Sequence, residues 1–188
     1  MSTVKTRIAA ALSVAAAAVI GLGPSATAAG PALYTETTLN LNSSLASNLS
    51  GLVVAAPPNA ADGLQRWEAI PRTITLPNGQ PKFGWQLKNS STKKCVSDAG
   101  NNVQVREVTC EGTPGSVTKQ VWQDLEPRLV NGKTYWFWQS ATSGRRLQNS
   151  GNITAGAFPT FTVIATDKRA NQGSALENLQ LWTEKRVN

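Results

Sequence analysis

The chain has 188 residues, 18 Lys and Arg against 11 Asp and Glu, a formal net charge of +7, two cysteines and no histidine. Without histidine, Ser-His-Asp and Cys-His machinery is excluded, as is any imidazole metal ligand or general base, and two cysteines alone cannot close a four-ligand zinc site. With 40% hydrophobic and 15% charged residues, the chain reads as a globular domain rather than a charged, disordered tail.

The first element is an address. Lys5 and Arg7 precede an uncharged, alanine-rich run over 8–22, and Ala26-Thr27-Ala28 supplies small residues for cleavage; this is the three-part pattern of a secretory signal peptide over 1–28. The run falls short of the roughly 18–20 apolar residues that span a bilayer, and no later stretch is apolar enough for a transmembrane segment. Cleavage near Ala28 leaves one domain over 29–188, with 160 residues and a charge of +5, because the leader holds two cations and no acid. Outside the cytosol a cysteine pair is expected to be oxidised. The alanine-rich leader reads as bacterial, so the Asn-x-Ser/Thr sequences at Asn42, Asn48, Asn89 and Asn152 are expected to be bare.

From there the chain repeats. Tyr34, with Leu45 behind it, opens a weak first copy that closes on Gln65-Arg66-Trp67. The joint that follows leads to Asn78-Gly79. Both residues tolerate positive φ, so 73–76 is expected to pair with 82–87 as a hairpin. The second copy opens on Trp85-Gln86-Leu87-Lys88-Asn89, passes Thr92 and Lys94-Cys95-Val96, and closes on Gln120-Val121-Trp122. A similar joint leads to Asn131-Gly132, which pairs 128–130 with 134–138 by the same logic. The third copy opens on Trp136-Phe137-Trp138-Gln139-Ser140, passes Ser143 and Arg145-Arg146-Leu147, and closes on Gln180-Leu181-Trp182. Trp85 and Trp136 lie 51 residues apart, and that offset aligns Leu87 with Trp138, Asn89 with Ser140, Thr92 with Ser143 and Val96 with Leu147. Extra length in the third copy falls over 166–178, an expected surface loop. Helical periodicity is absent, and Gly, Asn, Ser and Pro punctuate short β-rich stretches. The reading is all-β, in three similar units over 33–71, 82–127 and 133–185.

A threefold Gln-x-Trp repeat with an aromatic-x-aliphatic start resembles the ricin-type β-trefoil lectin family, over nearly all of 33–185. The resemblance implies a pseudo-threefold β-trefoil with Trp67, Trp122 and Trp182 in its shared core. Trp85, Trp136 and Trp138 are expected to line the same interior, since buried aromatics dominate small β cores. On an alternating strand Tyr135 and Phe137 then face the other way, and one of them is available as a surface platform. Cys95 and Cys110 match the family's internal disulfide, whose loop of about 15 residues is worth on the order of 3 kcal/mol. Arg146 and Ser44 take the Cys95 place in the other two units.

Sugar-binding members of that family carry an Asp two residues after the first Cys, a polar residue and an aromatic before the second, and an Asn before the Gln of Gln-x-Trp. Here the second unit has Ser97, Arg106, Val108 and Lys119 at those places. The third has Gln148 and Leu179; the first has Ala46 or Ser47, and Leu64. Asp98 is one residue off, which on a strand means the opposite face unless a bulge intervenes.

Two readings follow. In one, a shifted site built from Ser97, Asp98, Asn101, Asn102, Gln104, Arg106, Lys119 and Gln148 binds a glycan; Arg106 and Lys119 suit anionic sugars or cell-wall polymers. In the other, the module docks a secreted protein partner, as trefoil subunits of multi-chain toxins do. Catalysis is not expected. Ser-x-x-Lys at Ser116 to Lys119 and at Ser91 to Lys94 lacks its partner motifs, and Glu107 and Glu111 around Cys110 read as solvated acids rather than a glycosidase pair. Nothing suggests a cofactor or metal. The pairs Lys93-Lys94, Arg145-Arg146 and Lys168-Arg169 are too dispersed for nucleic acid.

Overall fold

Asn131 and Gly132 both adopt positive φ, at 50° and 74°, and the chain reverses on them alone, with Val130 facing Lys133. This mirror-image turn matches the right-handed twist of its flanking strands. Asn78-Gly79 sits instead in a longer connection, closed by the Leu76 N–H donating to the Gln80 carbonyl at 2.9 Å. It still pairs Thr73 with Phe83.

The structure is a computed structural model that describes residues 31–39, 42–112, 119–154 and 160–187. The leader expected over 1–28 and Ser116 lie outside the described residues. Among the described residues no helix is long and apolar enough to cross a membrane.

The strands are β1 (Leu33–Thr38), β2 (Ser44–Ser47), β3 (Val53–Ala56), β4 (Trp67–Thr75), β5 (Pro81–Asn89), β6 (Cys95–Ser97), β7 (Val103–Gln104), β8 (Arg106–Val108), β9 (Val121–Val130), β10 (Lys133–Ser140), β11 (Arg146–Thr154), β12 (Thr160–Thr166) and β13 (Leu181–Arg186). β1, β4, β5, β9, β10 and β13 pair in that order, and β13 returns to β1, which closes a ring without free edges. Each unit adds one hairpin to the ring: β2–β3, β6–β8 and β11–β12. This is a β-trefoil.

The 51-residue period is written in the hydrogen bonds. Thr38, Asn89 and Ser140 donate their N–H groups to the carbonyls of Ser43, Lys94 and Arg145 at 2.9, 2.9 and 2.8 Å. Inside those turns Asn42, Lys93 and Gly144 all take positive φ. The indole N–H groups of Trp67, Trp122 and Trp182 donate to the carbonyls of Leu45, Val96 and Leu147 at 2.9, 3.1 and 3.1 Å. Two residues earlier, Gln65, Gln120 and Gln180 donate side-chain amides to the carbonyls of Pro57, Thr109 and Lys168, each at 2.9 Å. Each Gln-x-Trp therefore pins an incoming loop with its amide N–H and a hairpin with its indole N–H, so the buried donors of both are satisfied. The three tryptophans are fully buried, in one cluster with Leu45, Val53, Leu87, Val96, Val105, Trp138, Leu147 and Val163, and Trp85 packs half-buried against it. The disulfide joins Cys95 on β6 to Cys110 beyond β8.

Three features depart from the sequence reading. Trp136 is half-buried and outside the core cluster. Tyr135 and Phe137 are buried instead, in a separate cluster with Leu181. Alternation along β10 holds, since Tyr135 and Phe137 lie together apart from Trp138; their side is not open to solvent because Leu181 packs on it, while the register shift at this point falls in β9, at Glu126, φ 51°. Arg146 then lays its guanidinium over the Phe137 ring at 3.8 Å and pairs with Glu126 at 2.7 Å, so a cation–π contact occupies the place that holds the disulfide in the second unit. Third, the segment expected as a loop ends in a helix, α1 (Ala175–Gln180), whose N-cap Ser174 accepts from the Glu177 N–H while the Glu177 carboxylate accepts from the Gly173 N–H. Ser174 and Glu177 are a Ser-x-x-Glu pair, the sequence signature of a helix start.

One core place breaks the threefold pattern chemically. Residues 36, 87 and 138 are equivalent by the 51-residue offset, and they are Glu36, Leu87 and Trp138. Glu36 is buried and accepts the Trp138 indole N–H at 3.1 Å. Burial, with Glu184 and Asp124 nearby, pushes its carboxyl up to about 8.

Candidate functional site

The candidate site residues of the second and third units separate into two groups. Ser97 on β6 faces Arg106 on β8 in register, and Lys119 joins them because its carbonyl accepts the Asp98 N–H at 3.0 Å. Arg106 and Lys119 are exposed and Ser97 half-buried. The rest are engaged within the fold: Asp98, Asn102 and Gln104 join one unit to another, and Gln148 bonds within the third. The Asp98 side chain has no exposed surface and accepts from Ser143 Oγ at 2.5 Å, from Arg145 at 3.2 Å and from the Gly100 N–H at 2.9 Å. Asn102 accepts from Thr166 Oγ1 at 2.9 Å, and Gln104 donates to the Val53 carbonyl at 3.2 Å. Gln148 is buried and accepts from Gln180 at 2.9 Å. Asp98 therefore tethers the second unit to the third.

Glu107 does the same between the first and second units. It is buried and accepts from Ser47 Oγ at 2.6 Å and Thr92 Oγ1 at 3.0 Å, so it is not a solvated surface acid. Asp98→Ala is expected to lose about 2 kcal/mol of stability, since it removes a buried carboxylate that accepts from Ser143, Arg145 and the Gly100 N–H and leaves those donors without it. Urea unfolding of the variant beside the parent checks this; an unchanged midpoint would contradict the tethering role.

The first unit is different. The offset that aligns Ser97 with Gln148 places Ala46 at the same point. Here β2 and β3, the loop that follows them and the 3-10 turn Gly63–Gln65 enclose a hollow of about 430 Å³. Ala46, Val54, Ala56 and Pro57 form its apolar wall, and Asn48, Asp62 and Thr160 are among its polar lining. Small side chains make the space: Ala46 faces Val54 across the hairpin, with Ala56 beside it. Pro57-Pro58 ends β3, and the loop is then fixed by Gln65, which donates to the Pro57 carbonyl and accepts from the Asn59 N–H at 2.7 Å.

Asp62 caps the 3-10 turn through Oδ1, which accepts the Leu64 N–H at 2.9 Å. Its other oxygen has no partner among the described residues. Asn48 uses its Oδ1 to accept from Ser50 and Leu52, which leaves its amide nitrogen as a donor at the rim. A methyl-lined wall with one carboxylate acceptor and one amide donor suits a ligand with an apolar face and hydroxyl edges. The hollow has little sequence signature because small residues, Ala46 and Ala56, stand where sugar-binding pockets carry larger polar ones; Asp62, three residues before Gln65, is the one chemical signal that points to it. Among the described residues no group of acids and cysteines is arranged to hold a metal ion.

No protein-family model matches the chain, and no curated protein does. Solved structures do. The designed threefold-symmetric protein ThreeFoil is 16% identical with a TM-score of 0.56, covering 81% of this chain and 96% of that one. The Polyporus squamosus lectin, solved bound to a human-type influenza-binding epitope, is 15% identical with a TM-score of 0.55, over 84% of this chain and 50% of the lectin. The cytolethal distending toxin of Actinobacillus actinomycetemcomitans is 17% identical with a TM-score of 0.52, over 80% of this chain and 88% of that chain. These likenesses concern the fold, and they agree with the closed ring and three hairpins in making it a β-trefoil.

Proposed function

We propose that the protein is a secreted, non-catalytic carbohydrate-binding module that holds its glycan in the hollow of the first unit. The observation that carries this reading is the hollow itself, about 430 Å³, at the place in the trefoil repeat where Ala46 stands for Ser97 and Gln148. Its apolar wall, with the Asn48 amide as a donor and the second Asp62 oxygen as an acceptor, is the mix of a sugar site. The secretory leader pattern and the Cys95–Cys110 disulfide support export. The engagement of Asp98 and Glu107 in ties between units supports binding over turnover, because neither carboxylate is presented to a substrate.

A glycan array with the secreted chain, run at low and at physiological salt, tests the reading. A defined glycan class retained at both is the expected result, since a shaped site outlasts screening. Retention that vanishes at physiological salt would mean general attraction to cations and would overturn it. So would no retention at all; recovery of one defined secreted protein in that case would favour the protein-docking reading.

A further inference from the structure

Beside the hollow lies a larger groove of about 570 Å³, between the first and third units. Pro58 and Asn59 line both concavities, so this short segment is a ridge with the hollow on one side and the groove on the other. The groove runs over β1, β13 and the start of β10. Thr35 faces Lys185 and Thr37 faces Thr183 across β1 and β13, which gives a row of hydroxyls with an ammonium in line. Lys133 stands at the β10 end. Neither lysine is ion-paired among the described residues. Glu184 is the one acid among the groove's lining residues, and burial together with Asp124 raises its carboxyl above the ordinary range, which weakens its opposition.

Trp136 lines the same groove. Five tryptophans have indole partners: Trp67, Trp122 and Trp182 on backbone carbonyls, Trp138 on Glu36, and Trp85 on Asp124 at 3.3 Å. Trp136 has none among the described residues. A half-buried indole with an unused N–H is amphipathic surface that a ligand can complete, and a uronic acid brings a ring with an apolar face, hydroxyls and one carboxylate in a single unit.

We propose that the groove is a second subsite for a carboxylate-bearing polysaccharide, whose chain lies in the hollow, crosses Pro58 and Asn59, and presents its next sugars to Trp136, Lys133 and Lys185. This rests on the hollow being a sugar site. The ligand is then an internal stretch of an acidic polymer, and the shortest oligomers fill only the hollow.

The test is calorimetric titration of the secreted chain with oligogalacturonides of increasing length, together with amide and indole NMR spectra. Affinity is expected to rise about tenfold or more once the oligomer spans both concavities, as joined sites do. The Trp136 indole signal should then move only with the longer oligomers. The exposed double variant Lys133→Ser, Lys185→Ser should flatten the rise without changing binding of the shortest oligomer. If long and short oligomers bind alike, or the Trp136 indole stays still while signals from Ala46 and Val54 shift, the groove proposal is wrong and the hollow stands. If only neutral glycans shift Ala46 and Val54, the acidic-polymer assignment is likewise wrong while the hollow stands. If neither acidic nor neutral glycans shift Ala46 or Val54, both fail.

Discussion

Raising the pH from 5 to 9 should lower the urea midpoint of this protein, and Glu36→Gln should remove most of that loss. Glu36 sits where the other two units place Leu87 and Trp138, inside the barrel. Its carboxyl, ordinarily near 4.5, is held up at about 8 by burial first, with Glu184 adding repulsion and the Trp138 indole opposing. Between those two values the folded state keeps a proton that the unfolded state has released. Stability is therefore complete below the unfolded value and falls as the pH climbs through the folded one. The loss is on the order of 4 kcal/mol, large against a typical total of about 5–15 kcal/mol. Glutamine keeps an acceptor for the Trp138 indole but cannot ionise, so most of the slope should disappear, leaving the smaller part contributed by the raised Glu184 carboxyl. Parallel profiles for parent and variant would show that Glu36 ionises freely in the fold.

Trp67→Ala, Trp122→Ala and Trp182→Ala should each cost about 3–5 kcal/mol, the range for deleting a fully buried large aromatic. The three costs should be similar, because each indole fills one third of the same core and satisfies one equivalent carbonyl. Trp136→Ala should cost clearly less, since that side chain is half-buried and outside the core cluster. Equilibrium unfolding of the four variants checks both statements. A Trp136 variant as damaged as the other three would return that residue to the core.

The repeat was legible because the offset of 51 residues is also the offset of the backbone turns. Tyr34, Trp85 and Trp136 look like a loose aromatic coincidence until Leu45, Val96 and Leu147 are seen to accept the three closing indoles. The weak first copy conceals its part in the pattern because one of its core places is a carboxylic acid. The same offset puts Glu36 opposite Leu87, so the anomaly was present in the sequence, but its burial depends on ring closure by β13.

Burial was less legible than strand direction. Phe137 faces away from Trp138 as alternation requires, but Leu181 and the Arg146 guanidinium cover it. Asp98 lies just past the end of β6, where its own N–H is drawn to Lys119, so strand alternation no longer decides where it points. Apart from Asp62, the polar residues of the first unit do not reveal the hollow, since Ala46 and Ala56 create it by being small. The capped start of α1 at Ser174 was readable, and only the surrounding absence of helical pattern concealed it.

The most direct measurement compares the parent and Ala56→Tyr for binding to the best-retained glycan of the array. Ala56 lines the hollow and is half-buried, so tyrosine there fills the space from the wall. Affinity is predicted to drop about tenfold or more, equivalent to at least about 1.4 kcal/mol, with the unfolding midpoint and far-UV spectrum unchanged. Equal affinity in parent and variant, with the fold intact, would contradict a ligand in the hollow.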